Sequence, residues 1–184
     1  MPMSWSPDGQ YLLTRNAGVG QEAPYLALFK VGDQKPLRPL ASKSNQGSAQ
    51  VSPDGKWLAY ATDESGVWNI YVTTFPGAVG KWQVSTGGGT EPRWRGDAKE
   101  MFYLAAENVV MAVSVRAGST FSSGTPQPLF RAHPRPPISN TDVFSYDVTK
   151  DGSRFIVNRY VKPSPLPPLD ILLNATAQTP GSKE

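Results

Sequence analysis

The chain has no cysteine and one histidine among its 184 residues. The first absence excludes a disulfide, a thiolate nucleophile and a zinc–thiolate centre. The second leaves His133, in Arg131-Ala132-His133-Pro134-Arg135, as the one imidazole that a Ser-His-Asp triad could use. No Gly-x-Ser-x-Gly elbow accompanies it, and a loop histidine beside prolines is expected to be solvated. Charge is sparse and balanced: 18 Lys and Arg against 15 Asp and Glu give a net +3. The dense basic stripe of a nucleic-acid binder is missing, so no nucleic-acid partner is expected. No apolar run approaches the roughly 20 residues that span a bilayer as a helix, so no membrane insertion is expected. The opening residues Met1–Trp5 lack a basic segment followed by an apolar one, and they are read as carrying no signal peptide.

Helical periodicity is also short. No stretch longer than about ten residues keeps a 3.6-residue apolar period. Instead 17 Gly and 18 Pro separate short apolar runs. That punctuation predicts an all-β protein with a turn every several residues.

What is present is a repeated phrase. Ser-Pro-Asp-Gly stands at Ser6–Gly9 and again at Ser52–Gly55, with weaker copies at Arg95–Ala98 and Thr149–Gly152. The aspartates Asp8, Asp54, Asp97 and Asp151 are spaced 46, 43 and 54 residues apart. Each copy runs into an apolar segment, the clearest being Trp57-Leu58-Ala59-Tyr60. Proline presets a turn, aspartate bonds back to the backbone and glycine accepts a positive φ, so each phrase predicts a hairpin. A period of 40–50 residues with strand-like content points to the blades of a β-propeller. A β-sandwich also has short strands, but it needs no phrase at a fixed offset.

Four units follow, at about 1–43, 44–87, 88–132 and 133–174, with a flexible tail at 175–184. Unit two sets the pattern of four strands, a to d: 49–52, 56–62, 68–74 and 81–85. Unit three places its strands at 91–95, 100–105, 109–115 and 128–131. Unit one places them at 3–6, 10–15, 25–31 and 37–41. Unit four has 143–148, 153–159 and 169–174 and lacks its outer strand. The four blades are expected either to close a four-bladed ring or to form part of a larger one. A chain that starts inside a repeat is read as a fragment. Its open blade edges make self-association, as a dimer, a further expectation.

The residues Ser52-Pro53-Asp54-Gly55-Lys56-Trp57-Leu58-Ala59-Tyr60, followed by Asn69-Ile70-Tyr71-Val72, resemble the WD40-like PD40 repeat of TolB-type propellers. The stretch from Lys81 to Trp94 is similar to one branch of these, the C-terminal propeller of bacterial proteins that begin with a eukaryotic-like serine/threonine kinase. The resemblance covers about residues 3–174 and is closest in unit two. Unit three departs from it, with Gly96-Asp97-Ala98 in place of Pro-Asp-Gly. The kinase signatures themselves are missing. The resemblance implies protein or ligand recognition, a periplasmic or extracytoplasmic setting, and no catalytic residue to carry over.

Other motifs are empty. Gly18-Val19-Gly20-Gln21-Glu22-Ala23 fits a dinucleotide fingerprint, but Pro24-Tyr25-Leu26 starts a strand where a helix is needed. Gly77-Ala78-Val79-Gly80-Lys81 resembles a phosphate loop with the wrong spacing. The four aspartates are one blade apart and are read as turn formers, not calcium ligands. No cofactor and no metal are expected.

Recognition is expected on the face opposite the Asp-Gly turns, where the b-to-c and d-to-a connections lie. Arg15, Asn16, Asp63 and Glu64 are placed there, with Trp68 and Arg93. Arg131, His133 and Arg135 join them, with Arg159 and Tyr160. Arginine and aromatic side chains are the usual anchors of an interface. Trp68 and Tyr160 could equally pack between blades. The expected function is a non-catalytic binding module for a protein, peptide or ligand. The alternative is a propeller hydrolase of lactonase or esterase type, or the propeller of a prolyl-oligopeptidase-type peptidase.

Overall fold

A computed structural model describes residues 1–18, 20, 22–134 and 144–159. It is built from strands, with one 3-10 turn at Ala106–Asn108. Four antiparallel sheets follow one another along the chain. The first contains β1 (Pro2–Trp5), β2 (Tyr11–Asn16) and β3 (Tyr25–Lys30). The second contains β4 (Gln46–Val51), β5 (Trp57–Thr62), β6 (Asn69–Thr74) and β7 (Trp82–Gln83). The third contains β8 (Thr90–Trp94), β9 (Glu100–Leu104), β10 (Val109–Ala117), β11 (Phe121–Ser123) and β12 (Gln127–Arg131). The fourth is the hairpin of β13 (Tyr146–Val148) and β14 (Phe155–Val157).

The repeated phrase makes one turn four times. In unit two the Ser52 hydroxyl donates to Asp54 and accepts the Trp57 N–H at 3.0 Å. Asp54 in turn accepts the Lys56 N–H at 3.2 Å. Ser6 with Asp8 and Thr149 with Asp151 repeat the arrangement. In unit three Asp97 still accepts the Lys99 N–H, at 3.0 Å, while Arg95 grips its carboxylate in place of the hydroxyl. Gly9, Gly55 and Gly152 sit at φ of 71–74° at the fourth position, and Ala98 takes the same left-handed conformation at 58°. The aspartates are turn formers.

Side chains on both faces of a sheet are buried, as stacked blades require. In β5, Leu58 and Tyr60 pack with Leu13, Leu26 and Leu28 of the first sheet. Trp57, Ala59 and Ala61 point the other way, toward Trp94, Met101 and Tyr103 of the third. Phe102, Leu104 and Val110 of the third sheet meet Tyr146, Val148 and Phe155 of the fourth. Each such large side chain contributes about 1.5–3 kcal/mol on leaving water.

A polar residue ties each seam. Ser4, Gln50, Arg93 and Asp147 occupy the same place in the four units, two residues before the turn phrase. The Ser4 hydroxyl accepts the Val51 N–H at 3.1 Å, and Gln50 Oε1 accepts the Trp94 N–H at 2.8 Å. The Arg93 guanidinium donates to the Tyr146 carbonyl at 3.3 Å. In the first three sheets the pairing register shifts just before this residue, between Pro2 and Ser4, Gln46 and Ala49, and Thr90 and Arg93. A bulge bends its strand locally, so the kink recurs with the repeat.

Two expectations on strands change. The outer strand of unit one shrinks to a single bridge between Leu28 and Leu37. The connection after β10 contains β11, whose Phe121 fills the space among Trp57, Trp82 and Trp94. The third strand expected at 169–174 and the tail lie outside the described residues.

Candidate recognition face

The antiparallel order inside each sheet sends the ends of β2, β5, β9, β12 and β14 to the side opposite the Asp-Gly turns. Bonds between sheets bring these ends together. The Arg15 guanidinium donates to the Gln46 carbonyl at 3.0 Å, and the Gly89 N–H donates to the Trp68 carbonyl at 2.8 Å. These strand ends therefore share one end of the stack.

Its side chains have different surroundings. Asp63 accepts the Asn45 N–H at 2.9 Å and the Asn45 amide at 2.5 Å, tying the start of the second sheet to the end of β5. Glu64 is exposed and pairs with Lys81, whose ammonium lies 4.1 Å from the centre of the Tyr71 ring. Trp68 is half-buried against Gly47; a Cβ there would come within 2.9 Å of the indole. Asn16 is half-buried at the end of β2, opposite Tyr25. Arg131 is exposed and pairs with Glu107 at 2.5 Å. His133 and Arg159 are also exposed. Arg135 and Tyr160 lie outside the described residues.

Arg93 is placed otherwise. Only 11% of its side chain is exposed, and it lies in the seam between the third and fourth sheets. Its guanidinium stacks 3.6 Å from the centre of the Phe144 ring and pairs with Asp147 at 3.4 Å. Burial lowers its pKa from the ordinary arginine value, and the charge of Asp147 opposes this. Arginine serves an interface or a seam with the same donors, and the sequence does not separate the two uses.

Glu91 was not expected at this seam. It adopts a φ of 56° in β8, an uncommon conformation for a residue with a side chain. Its carboxylate accepts the Ser145 N–H at 2.6 Å and the Ser145 hydroxyl, and its carbonyl accepts the Tyr146 hydroxyl at 3.0 Å. Burial raises the Glu91 pKa, and the bonds from Ser145 pull it back. Aligning the units would have marked it: the matching place in unit two holds the small Ser48.

A cavity of about 320 Å³ lies between residues 39–42 and the second sheet, running from Thr62 and Glu64 to Thr73 and Ala78. It is lined by Leu40, Gln46, Tyr60, Thr62, Glu64 and Lys81, among others, so it opens beside the Glu64–Lys81 pair. Thr62 is 1% exposed and its hydroxyl has no hydrogen-bond partner. Burial raises the Tyr60 pKa well above the ordinary phenol value, keeping that phenol neutral. Among the described residues, no three of His, Cys, Asp and Glu come together as a metal site would need.

Solved structures share this architecture. TolB from Acinetobacter baumannii matches with a TM-score of 0.62 at 16% identity, over 84% of this chain and 36% of that one. A provisionally named TolB from Agrobacterium tumefaciens matches at 0.56 and 16% identity, over 70% of this chain and 48% of that one. The chain has a TolB-like β-propeller fold. A provisionally named 6-phosphogluconolactonase from Bacteroides uniformis matches at 0.54 and 16% identity, over 85% of this chain and 46% of that one. This TolB-like chain therefore spans less than half the length of each of these propellers. No protein-family profile matches the sequence, and no curated protein matches it.

Proposed function

We propose that this chain is a non-catalytic recognition module that binds a protein or peptide segment at the rim opposite the Asp-Gly turns. The observation that carries the reading is the cavity beside Glu64, lined by the polar side chains of Gln46, Thr62, Thr73, Glu64 and Lys81. Glu64 with Lys81 beside it, and Glu107 with Arg131 at the end of the third sheet, offer both signs of charge, suited to a polar peptide. The exposed His133 and Arg159 and the uncovered part of Trp68 extend the contact. Arg93 serves the seam. The likeness of Lys81–Trp94 to kinase-linked propellers suits a module within a larger sensor or kinase-linked protein, in a periplasmic or extracytoplasmic setting.

The test is selection from a displayed random-peptide library on the immobilised chain. Peptides should enrich that lose at least about tenfold in affinity with Thr62→Val and with the pair Glu64→Lys and Arg131→Glu. They should bind Asp8→Asn, a change on the opposite side, as before. Binding that ignores all three rim substitutions contradicts the reading. So does steady turnover of a lactone, ester or phosphoester by the chain, which would favour the hydrolase.

A further inference from the structure

The seam rule leaves one residue over. Ser4 reaches the second sheet, Gln50 the third and Arg93 the fourth. Asp147 is next in the series, and its side chain is 62% exposed. One carboxylate oxygen takes the Val148 N–H at 2.9 Å and faces Arg93. Among the described residues no fifth sheet lies beyond it.

The surface around Asp147 has the form of an uncovered seam. Asp147 stands directly across from Ile156 in the hairpin. Their neighbours Tyr146, Val148, Phe155 and Val157 turn toward the third sheet. Ile156 therefore faces away from it and is 72% exposed, while Asp147 stands at the outer edge of the seam, reaching back only to Arg93. Hollows of about 460 and 390 Å³ flank the pair.

The other end of the stack carries the complement. Val51 and Trp94 hold the place just before the turn phrase, and each faces the preceding sheet. Trp5 holds that place in the first sheet, where no preceding sheet exists among the described residues, and it is 57% exposed. Trp5 pairs with Leu12, and Leu12 with Phe29, so the three form one apolar row across the sheet. At the second seam the Trp94 indole N–H donates to the Gln50 carbonyl at 3.2 Å, a bond that Trp5 is equipped to repeat with Asp147.

We propose that the fourth sheet of one chain docks on the first sheet of a second copy, with Asp147 and Ile156 against Trp5, Leu12 and Phe29. The contact is head to tail and continues the seam that already joins the sheets within the chain. Two such contacts close a ring of two chains if the rotation fits; otherwise the chains extend in series.

Light scattering over a range of concentrations, with circular dichroism as the check on folding, tests this. The chain should associate reversibly. Ile156→Arg and Trp5→Arg change exposed residues and should each yield a folded monomer. Mixed together, the two variants should form a one-to-one dimer, because each keeps the face that the other lost. A wild-type chain that stays monomeric to its solubility limit overturns the proposal and leaves both faces to flanking sheets of a longer protein. A Trp5→Arg variant that still dimerises alone also overturns it, because the contact would then join two fourth sheets.

Discussion

Gln50 and Trp94 hold the second seam by two bonds that exchange side chain for backbone: the Gln50 side chain accepts the Trp94 backbone N–H at 2.8 Å, and the Gln50 backbone carbonyl accepts the Trp94 indole N–H at 3.2 Å. Forty-four residues apart, they are repeat neighbours. Gln50→Leu keeps the volume but removes the side-chain acceptor, stranding a backbone donor in a packed seam. The expected loss is about 1–3 kcal/mol in urea denaturation. Gln50→Glu retains an acceptor and should lose less. Equal stability for Gln50→Leu and the parent would remove this staple from the account.

Arg93 should act locally. Arg93→Met leaves the Tyr146 carbonyl and Asp147 without their donor, while Phe144 keeps an apolar neighbour. Amide exchange at 146–148 and 155–157 should accelerate more than at 57–62 in the second sheet. Uniform acceleration, or none, would mean that the fourth sheet is held by its apolar contacts alone.

The turn phrase gives the plainest stability test. Gly55 has a φ of 71°, and a Cβ there would meet only Pro7, at 3.7 Å. Gly55→Ala should therefore cost about 1 kcal/mol through backbone conformation, with no clash. Asp54→Ala removes the acceptor of the Lys56 N–H and should cost a similar amount, about 1 kcal/mol. Thermal denaturation reads both.

Glu91 sets a pH dependence of known sign. Its folded pKa lies above the ordinary 4.5, so the folded state binds more protons than the unfolded one in that window. Its contribution to stability is fullest below 4.5 and declines as pH rises through the raised value. Glu91→Gln should remove that decline, so the variant gains on the parent as pH increases across the window. Asp97 works in the opposite direction and lower down. Arg95 and the Lys99 N–H pull it from 3.8 to about 2, so its contribution is present above 3.8 and lost as pH falls toward 2. Urea titrations at several pH values separate the two.

The architecture was legible because the residues that make it are local. Ser52, Asp54, Gly55 and the apolar run after them specify a turn and a returning strand within ten positions. The same grammar survives in unit three, where Arg95 replaces the hydroxyl and Ala98 the glycine. The seam was not legible in the same way. Ser4, Gln50 and Arg93 share a place but no chemistry, so their common role appears only when the sheets are stacked. That is why Arg93 looked like an anchor for a partner. Phe121 was hidden for a different reason: Gly118 and Gly124 suggested a loop, while the cluster of Trp57, Trp82 and Trp94 drew the segment into a strand. That the b-to-c ends share one rim followed from strand order, but the cavity beside Glu64 depends on how 39–42 lie over the second sheet.

The central claim is that recognition takes place at the rim opposite the Asp-Gly turns. Amide hydrogen exchange on the chain, free and saturated with a library-selected peptide, measures this directly. Protection should rise at 62–68 and 106–109, with little change at 6–9, 52–55 and 149–152. Protection concentrated at those turns, with the rim unchanged, would contradict it.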